Sequence, residues 1–324
     1  MRRRVIQLLV SVTLLALLLW WIDIERLVEE ALRVQPRFVL LALALLLVQN
    51  DFATRRWTTV LRAFTDPPSH LRMLRIQYMS LFTQLFLPSS VGGAAVRVGV
   101  LMRSGYPFGI ALNSVLLDRL VALGGLVLLA LVFLPAVASS LSVDGNAGTL
   151  IAAAASAAGL LAAGAGALWW RPMTYWLGLF KRTPLRGIAE SLEKALPELI
   201  RPRRIATATV YSLCGQLAAM ASIFVLAKGK GLPVDLLDCI LVMPPVMLLS
   251  ALPISIAGWG VREGAMVVAF GLLGVAPESA LVLSVQFAII GHLSTTPGAI
   301  AWLMEVDRES FGRMARNIDR WGPD

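Results

Sequence analysis

Residues 87–97 read LPSSVGGAAVR, and residues 252–262 read LPISIAGWGVR, so a near-copy of one motif returns 165 positions later. Six of the eleven positions are identical, including the Pro, one Ser, one Gly and the closing Arg. The agreement continues downstream, because a Ser-Val pair follows seven residues after both Pro107 and Pro277. Duplicated apolar segments broken by Gly and Pro, at matching places in two halves of a membrane protein, indicate the substrate site of a transporter.

The composition is that of a polytopic membrane protein. Of the 324 residues, 57% are hydrophobic and 15% charged, and the mean hydropathy is +0.75. The net charge of +9 comes largely from arginines beside apolar runs, a pattern that sets membrane orientation and does not favour nucleic-acid binding. Cys214 and Cys239 lack metal-ligand spacing, so we expect neither metal nor cofactor. No enzyme signature motif is present, and we expect no enzymatic activity.

The apolar runs predict an all-α membrane protein. A helix that crosses a bilayer needs about 20 mostly apolar residues. The predicted full-length spans are 5–22, 38–60, 107–134, 148–170, 205–227 and 278–304. Two shorter, broken regions, at about 73–103 and 236–275, each contain one copy of the motif. The predicted units are a first repeat over 1–134, a second repeat over 135–304 and a C-terminal tail over 305–324.

Basic residues predict that the two repeats have opposite orientations. The loop 171–204 carries eight Lys and Arg against three Glu, which places it in the cytoplasm, and the loop 135–147 has none. The first broken region then enters and leaves from the cytoplasm and the second from outside, as two re-entrant hairpins of an inverted repeat. We expect a multi-pass protein of the inner cell membrane with a cytoplasmic N-terminus. Helical spacing of apolar residues over 188–199 predicts a helix along the membrane surface.

The two motif tips predict an anion site. Irregular backbone at membrane depth survives only in a protein-lined cavity, and helix N-termini present free amides to anions. Arg97 and Arg262, about two helical turns beyond the tips, add donors that suit phosphate. The candidate substrate-binding residues are Pro88, Ser90, Gly92, Gly93, Arg97, Pro253, Ser255, Gly258, Gly260, Arg262 and Glu263. Alternatively, the glycines only permit close packing and the arginines pair with acids, with Glu263 available to Arg262 and Asp118 to Arg119.

Further polar residues within the spans are second-rank candidates. Mid-membrane acids usually face a cavity or a partner, and a histidine can relay a proton. This group comprises Asn50, Asp51, Asp118, Arg119 and His292. A histidine hydrogen-bonded between helices is the alternative for His292. We interpret Arg55 and Arg56 as anchors at the cytoplasmic end of their span.

Four stretches resemble the lysylphosphatidylglycerol synthase transmembrane-region family of flippase-like membrane proteins. They are LFLPSSVGGAAVR at 85–97, LLDRLVALGGL at 116–126, LPISIAGWGVREG at 252–264 and the weaker Gln49-Asn50 region. Ala94 stands where many members have Asp, and Asp118 replaces the usual Glu, which argues against an acid-dependent step at the first tip.

The resemblance implies a lipid translocase that moves an anionic or phosphate-bearing lipid between leaflets. In the family, aminoacyl transfer belongs to a separate cytosolic domain, and other members accompany polyprenyl-linked sugar or hopanoid pathways. Two alternatives remain: a membrane subunit of an aminoacyl- or glycosyltransferase system, and a scaffold for lipid synthesis. Either would have lipid- or glycan-synthesis enzymes as partners. A scaffold predicts tolerance of substitution at both arginines, and a translocase predicts loss of transport.

Overall fold

The structure is a computed structural model that describes residues 35–85, 90–140, 186–251 and 260–305. The predicted spans 5–22 and 148–170 and the C-terminal tail lie outside these ranges. In chain order the helices are α1 (Pro36–Leu61), α2 (His70–Gln84), α3 (Ser90–Arg103), α4 (Phe108–Ser140), α5 (Arg186–Leu199), α6 (Pro202–Gly229), α7 (Leu236–Ala251), α8 (Val261–Gly271), α9 (Pro277–Leu293) and α10 (Pro297–Glu305).

Four helical stretches are long and apolar enough to cross a membrane. They are α1, the first 26 residues of α4, α6, and the stretch Pro277–Leu303 that contains α9 and most of α10. Each coincides with a span predicted from the sequence. The chain is therefore a polytopic helical membrane protein, and many of its exposed leucines, such as Leu40 and Leu41 of α1, are suited to contact with lipid.

Both broken regions form pairs of short helices. Helix α2 packs against α3, and the Ser80 hydroxyl donates a hydrogen bond of 2.8 Å to the Gly93 carbonyl between them. Helix α7 packs against α8 in the same way. Gly260 precedes α8 with a φ of +82°, a left-handed conformation that favours glycine. The described part of the first motif therefore lies in the first half of α3, and that of the second motif lies at the start of α8.

The succession of a long helix, two short helices and a long apolar stretch occurs twice, as α1–α4 and as α6–α8 followed by Pro277–Leu303. Both first helices begin with a proline, Pro36 and Pro202, which tolerates the first turn because no intrahelical partner is needed for its nitrogen. Helices α1 and α6 pack together and run antiparallel. Phe38 lies beside Gly229, and Ser222 donates a hydrogen bond to the Ala42 carbonyl, so positions that rise along α1 fall along α6. The corresponding first helices thus run in opposite directions.

A turn at residues 294–296 interrupts the last predicted span. The Ser294 and Thr295 hydroxyls donate to the carbonyls of Gly291 and His292. Helix α10 then packs against α2, where a Cβ on Gly298 would lie 2.2 Å from the Tyr78 carbonyl oxygen. After this turn, α10 of the second half therefore packs against α2 of the first hairpin.

Helix α5 confirms the helix predicted over 188–199 but not its position on the membrane surface. Its buried residues Ala195 and Leu199 form a cluster with Val60 and Ala63 near the end of α1 and Leu117 of α4. Asn113 of α4 donates hydrogen bonds of 2.7 Å to both the Ile188 carbonyl and the Ser191 hydroxyl. The apolar face of α5 is therefore covered by protein, because packing against α1 and α4 buries it.

Candidate functional site

The first polar cluster joins three helices. Asp118 of α4 accepts a hydrogen bond from Arg56 Nε of α1 at 2.8 Å and one from Arg97 Nη1 of α3 at 3.0 Å. Arg56 Nη2 also approaches the second carboxylate oxygen at 3.5 Å. The Arg97 guanidinium lies over the Trp57 ring, with 4.9 Å between Cζ and the ring centroid. Two guanidinium groups therefore share one carboxylate.

This cluster is largely buried from solvent. The Asp118 side chain is 2% exposed, and those of Arg56 and Arg97 are 12% and 11% exposed. Arg97 Nε is buried and has no hydrogen-bond acceptor among the described residues. Trp57 is held in place in turn, because its indole nitrogen donates to the Ser114 hydroxyl at 3.4 Å. The orientation of Arg97 is thus set by Trp57 on one side and Asp118 on another.

The second polar cluster lies at the start of α8. The Glu263 carboxylate is fully buried, and one of its oxygens accepts the Gly260 backbone N–H at 2.7 Å. The other oxygen accepts Arg262 Nε at 3.0 Å and the Ser284 hydroxyl at 3.5 Å. The acid satisfies an N–H that the first turn of α8 leaves without a helical partner. One carboxylate therefore pairs with one guanidinium and fixes the start of the helix to α9.

Both motif arginines pair with acids in the structure, as the alternative interpretation expects. Arg262 pairs with Glu263. Asp118 bonds to Arg56 and Arg97, two contacts that the sequence did not predict. The interpretation of Arg56 as an anchor at the end of its span is wrong, because its side chain is largely buried against Asp118.

The sequence contains one signal for Arg56. Consecutive residues on a helix point about 100° apart, so an Arg-Arg pair places its two side chains on different faces. Arg55 is 46% exposed and pairs with Asp51 at 2.6 Å, while Arg56 faces the interior. The four residues that follow Arg56, from Trp57 to Val60, are all buried, so this turn of α1 is enclosed by protein on every side.

The second-rank candidates do not form one site. Asn50 is buried and its amide donates to the Ser294 hydroxyl at 3.4 Å, which joins α1 to the turn after α9. The Asp51 side chain is one-third exposed, at 33%, and contacts Arg55 and His70 of α2. His292 is an exposed residue near the end of α9, within electrostatic range of Arg262.

The motif tips are described only in part. Ser90 begins α3, Gly92 and Gly93 lie in its first turn, and Gly260 caps α8. The tip candidates Pro88, Pro253, Ser255 and Gly258 lie outside the described residues. Within the described ranges, no group of three or more His, Cys, Asp or Glu side chains is placed to hold a metal ion.

Comparison with known proteins gives a match over most of the chain. The family model described as the lysylphosphatidylglycerol synthase TM region matches residues 4–298. A UPF0104 membrane protein of Pyrococcus horikoshii is 29% identical to the chain over 97 residues. That second similarity covers 30% of this chain and 29% of the relative, so the chain matches under a third of the relative's length.

Proposed function

The chain belongs to the lysylphosphatidylglycerol synthase TM region family, and from this premise we propose that it is a lipid translocase. It moves an anionic, phosphate-bearing lipid between the two leaflets of the inner cell membrane, with its N-terminus in the cytoplasm. The polar headgroup passes through the protein, and the acyl chains remain in the bilayer beside the apolar spans. No enzymatic step on the lipid is part of this proposal.

The observation that carries the proposal is the burial of Arg97 within a membrane protein, on α3, the second helix of the first hairpin. An intramembrane charge is costly, and such charges usually face a substrate path or a partner. Guanidinium groups bind phosphate oxygens through two parallel N–H donors. A headgroup phosphate is therefore the ligand chemistry that this hairpin suits.

The arrangement of helices supports an alternating mechanism. The two helical hairpins each follow the first helix of a repeated series, and those first helices, α1 and α6, run antiparallel. Inverted repeats of this kind expose a central site to one side at a time when one half rocks against the other. In this proposal the hairpins are re-entrant and approach the middle of the membrane from opposite faces.

A liposome experiment tests the proposal. Purified protein is reconstituted into vesicles that contain phosphatidylglycerol labelled at its headgroup or labelled polyprenyl phosphate. A quencher added to the outer solution reaches only the labels in the outer leaflet, so the loss of signal from the remaining labels measures transbilayer movement. We expect movement with the wild type, loss of movement with Arg97→Gln and little change with Arg55→Gln, a neighbouring arginine that is nearly half exposed.

Protein-free vesicles give the baseline for this experiment. Failure of wild-type protein to move any lipid above that baseline would refute a translocase that acts alone, and would favour a subunit that requires a lipid-modifying partner. Equal rates of lipid movement by the wild type and Arg97→Gln would instead show that transport does not depend on Arg97 of the first hairpin.

A further inference from the structure

We propose that the two motif arginines have different roles, although their motifs are copies. The cluster of Arg56, Arg97 and Asp118 holds the lipid phosphate, and Arg56 is its second guanidinium. The pair of Arg262 and Glu263 is closed and holds the second hairpin in shape. This inference rests on the proposed function and specifies which cluster binds the headgroup.

The charge count separates the clusters. In the first cluster two guanidinium groups share one carboxylate, so these three side chains carry a net charge of +1. In the second, Arg262 pairs with Glu263 and the net charge of the pair is zero. A buried charge is unfavourable without a counter-charge. A phosphodiester supplies one negative charge. It would neutralise the first cluster, whereas it would leave the second with an uncompensated negative charge.

The hydrogen-bond count agrees with the charge count. Arg97 donates to Asp118 through Nη1, and its buried Nε has no acceptor among the described residues. Arg262, by contrast, donates through both Nε and Nη2 to one Glu263 oxygen, and the other Glu263 oxygen accepts the Gly260 backbone N–H. The first cluster therefore has a buried donor to offer a phosphate oxygen, whereas the Nε and Nη2 donors of Arg262 are directed at Glu263.

Trp57 restricts how a ligand can approach. Its ring lies against the Arg97 guanidinium at 4.9 Å and is anchored to Ser114 of α4. One face of the planar guanidinium is thus occupied, and its N–H donors lie in the plane, at the edge that Trp57 does not cover. Edge-on binding is the geometry in which a guanidinium forms paired hydrogen bonds with phosphate.

The test separates binding from stability with matched variants. Arg56→Gln removes one charge of the first cluster, and Arg55→Gln removes its exposed neighbour. Ala94→Asp keeps both arginines but adds an acid three residues before Arg97 on α3, one turn away, where it neutralises the net charge. Arg262→Gln opens the second pair. Each variant is assayed for the lipid concentration that gives half-maximal movement of labelled phosphatidylglycerol, and for its thermal unfolding midpoint in detergent.

We expect Arg56→Gln and Ala94→Asp to raise the half-saturating lipid concentration roughly tenfold or more, because the first removes a positive charge that attracts the phosphate and the second adds a negative charge that repels it. Arg55→Gln stays at the wild-type value. Arg262→Gln lowers the unfolding midpoint and leaves the half-saturating concentration of the folded fraction unchanged. The inference is overturned if Arg56→Gln and Ala94→Asp both saturate like the wild type, or if Arg262→Gln alone weakens saturation.

A binding measurement keeps this test independent of transport. Stabilisation of the detergent-solubilised protein is measured with dioctanoyl phosphatidylglycerol, with dioctanoylglycerol, which lacks phosphate, and with inorganic phosphate. Stabilisation by the first ligand that disappears in Arg56→Gln supports the site even if no lipid moves in vesicles, a result that would refute only the translocase. Stabilisation by inorganic phosphate alone would assign the site to the free anion, and equal stabilisation by dioctanoylglycerol would overturn the inference.

Discussion

Replacement of Asp118 by Asn removes the one negative charge that two buried arginines share. The carboxylate accepts hydrogen bonds from Arg56 at 2.8 Å and from Arg97 at 3.0 Å, and its side chain is 2% exposed. Removing one partner of a buried ion pair costs about 3–5 kcal/mol, because the remaining charge stays buried and uncompensated. The amide keeps the volume and one acceptor oxygen, so we expect a loss of about 3 kcal/mol in the free energy of unfolding.

Asp51→Asn is the matched control. Asp51 also pairs with an arginine, Arg55, at 2.6 Å, but its side chain is 33% exposed. Exposed ion pairs contribute about 0–1 kcal/mol, so this variant should stay close to the wild type. The free energy of unfolding is measured for both variants by denaturation with SDS in mixed micelles.

A third variant identifies the cause of the loss. Arg97→Gln combined with Asp118→Asn removes one member of each charge type, so the combined loss should be smaller than the sum of the single losses. If Asp118→Asn destabilises no more than Asp51→Asn, or if the combined losses are simply additive, the shared carboxylate does not hold the three helices together.

Substitutions test three further contacts. Glu263→Gln removes the charge paired with Arg262 and weakens the cap on α8, and we expect a loss of about 3 kcal/mol together with faster hydrogen exchange in the first turn of α8. Gly298→Ala places a Cβ 2.2 Å from a backbone oxygen of α2 and should cost about 1–3 kcal/mol in unfolding free energy, whereas Gly291→Ala, whose Cβ would have no atom of another described segment within 4 Å, should not destabilise. Asn113→Ala removes two hydrogen bonds of 2.7 Å to α5, so trypsin should cut the 171–204 loop faster while the unfolding free energy changes little.

The long helices could be predicted because a membrane demands a minimum length of apolar sequence. Their interruptions could not be predicted in the same way. Pro297 begins a new helix after a turn, yet Pro244 and Pro245 lie inside α7 without ending it. Proline is tolerated within membrane helices when neighbouring groups satisfy the freed carbonyls. Those neighbours belong to the packed structure, and the local sequence does not reveal them.

In the candidate site, contacts between neighbours in the sequence could be predicted, and contacts between distant helices could not. The contact of Arg262 with Glu263 joins adjacent residues and could be anticipated from the sequence. The contact of Arg56 with Asp118 joins residues 62 positions apart and depends on how α1 packs against α4. The repeated motif predicts that Arg97 and Arg262 are functional, but Arg56 lies outside both copies of it. The contact of Arg56 with Asp118 could not be predicted, because it depends on how three helices pack together.

The two copies differ in where they carry the acid. The two motif copies are 165 positions apart, so Glu263 of the second copy corresponds to Val98 of the first. Helices α4 and α9 match at a separation of 170 positions, so Asp118 of α4 corresponds to Ala288 of α9. Both Val98 and Ala288 are buried, so each copy has an acid at the position where the other is apolar. An acid on the following span lets a second arginine approach from α1, whereas an acid beside the motif arginine closes the pair within one helix. The position of one carboxylate therefore distinguishes the two copies: the motif arginine of the first shares its acid with Arg56 across helices, and that of the second pairs with the adjacent residue.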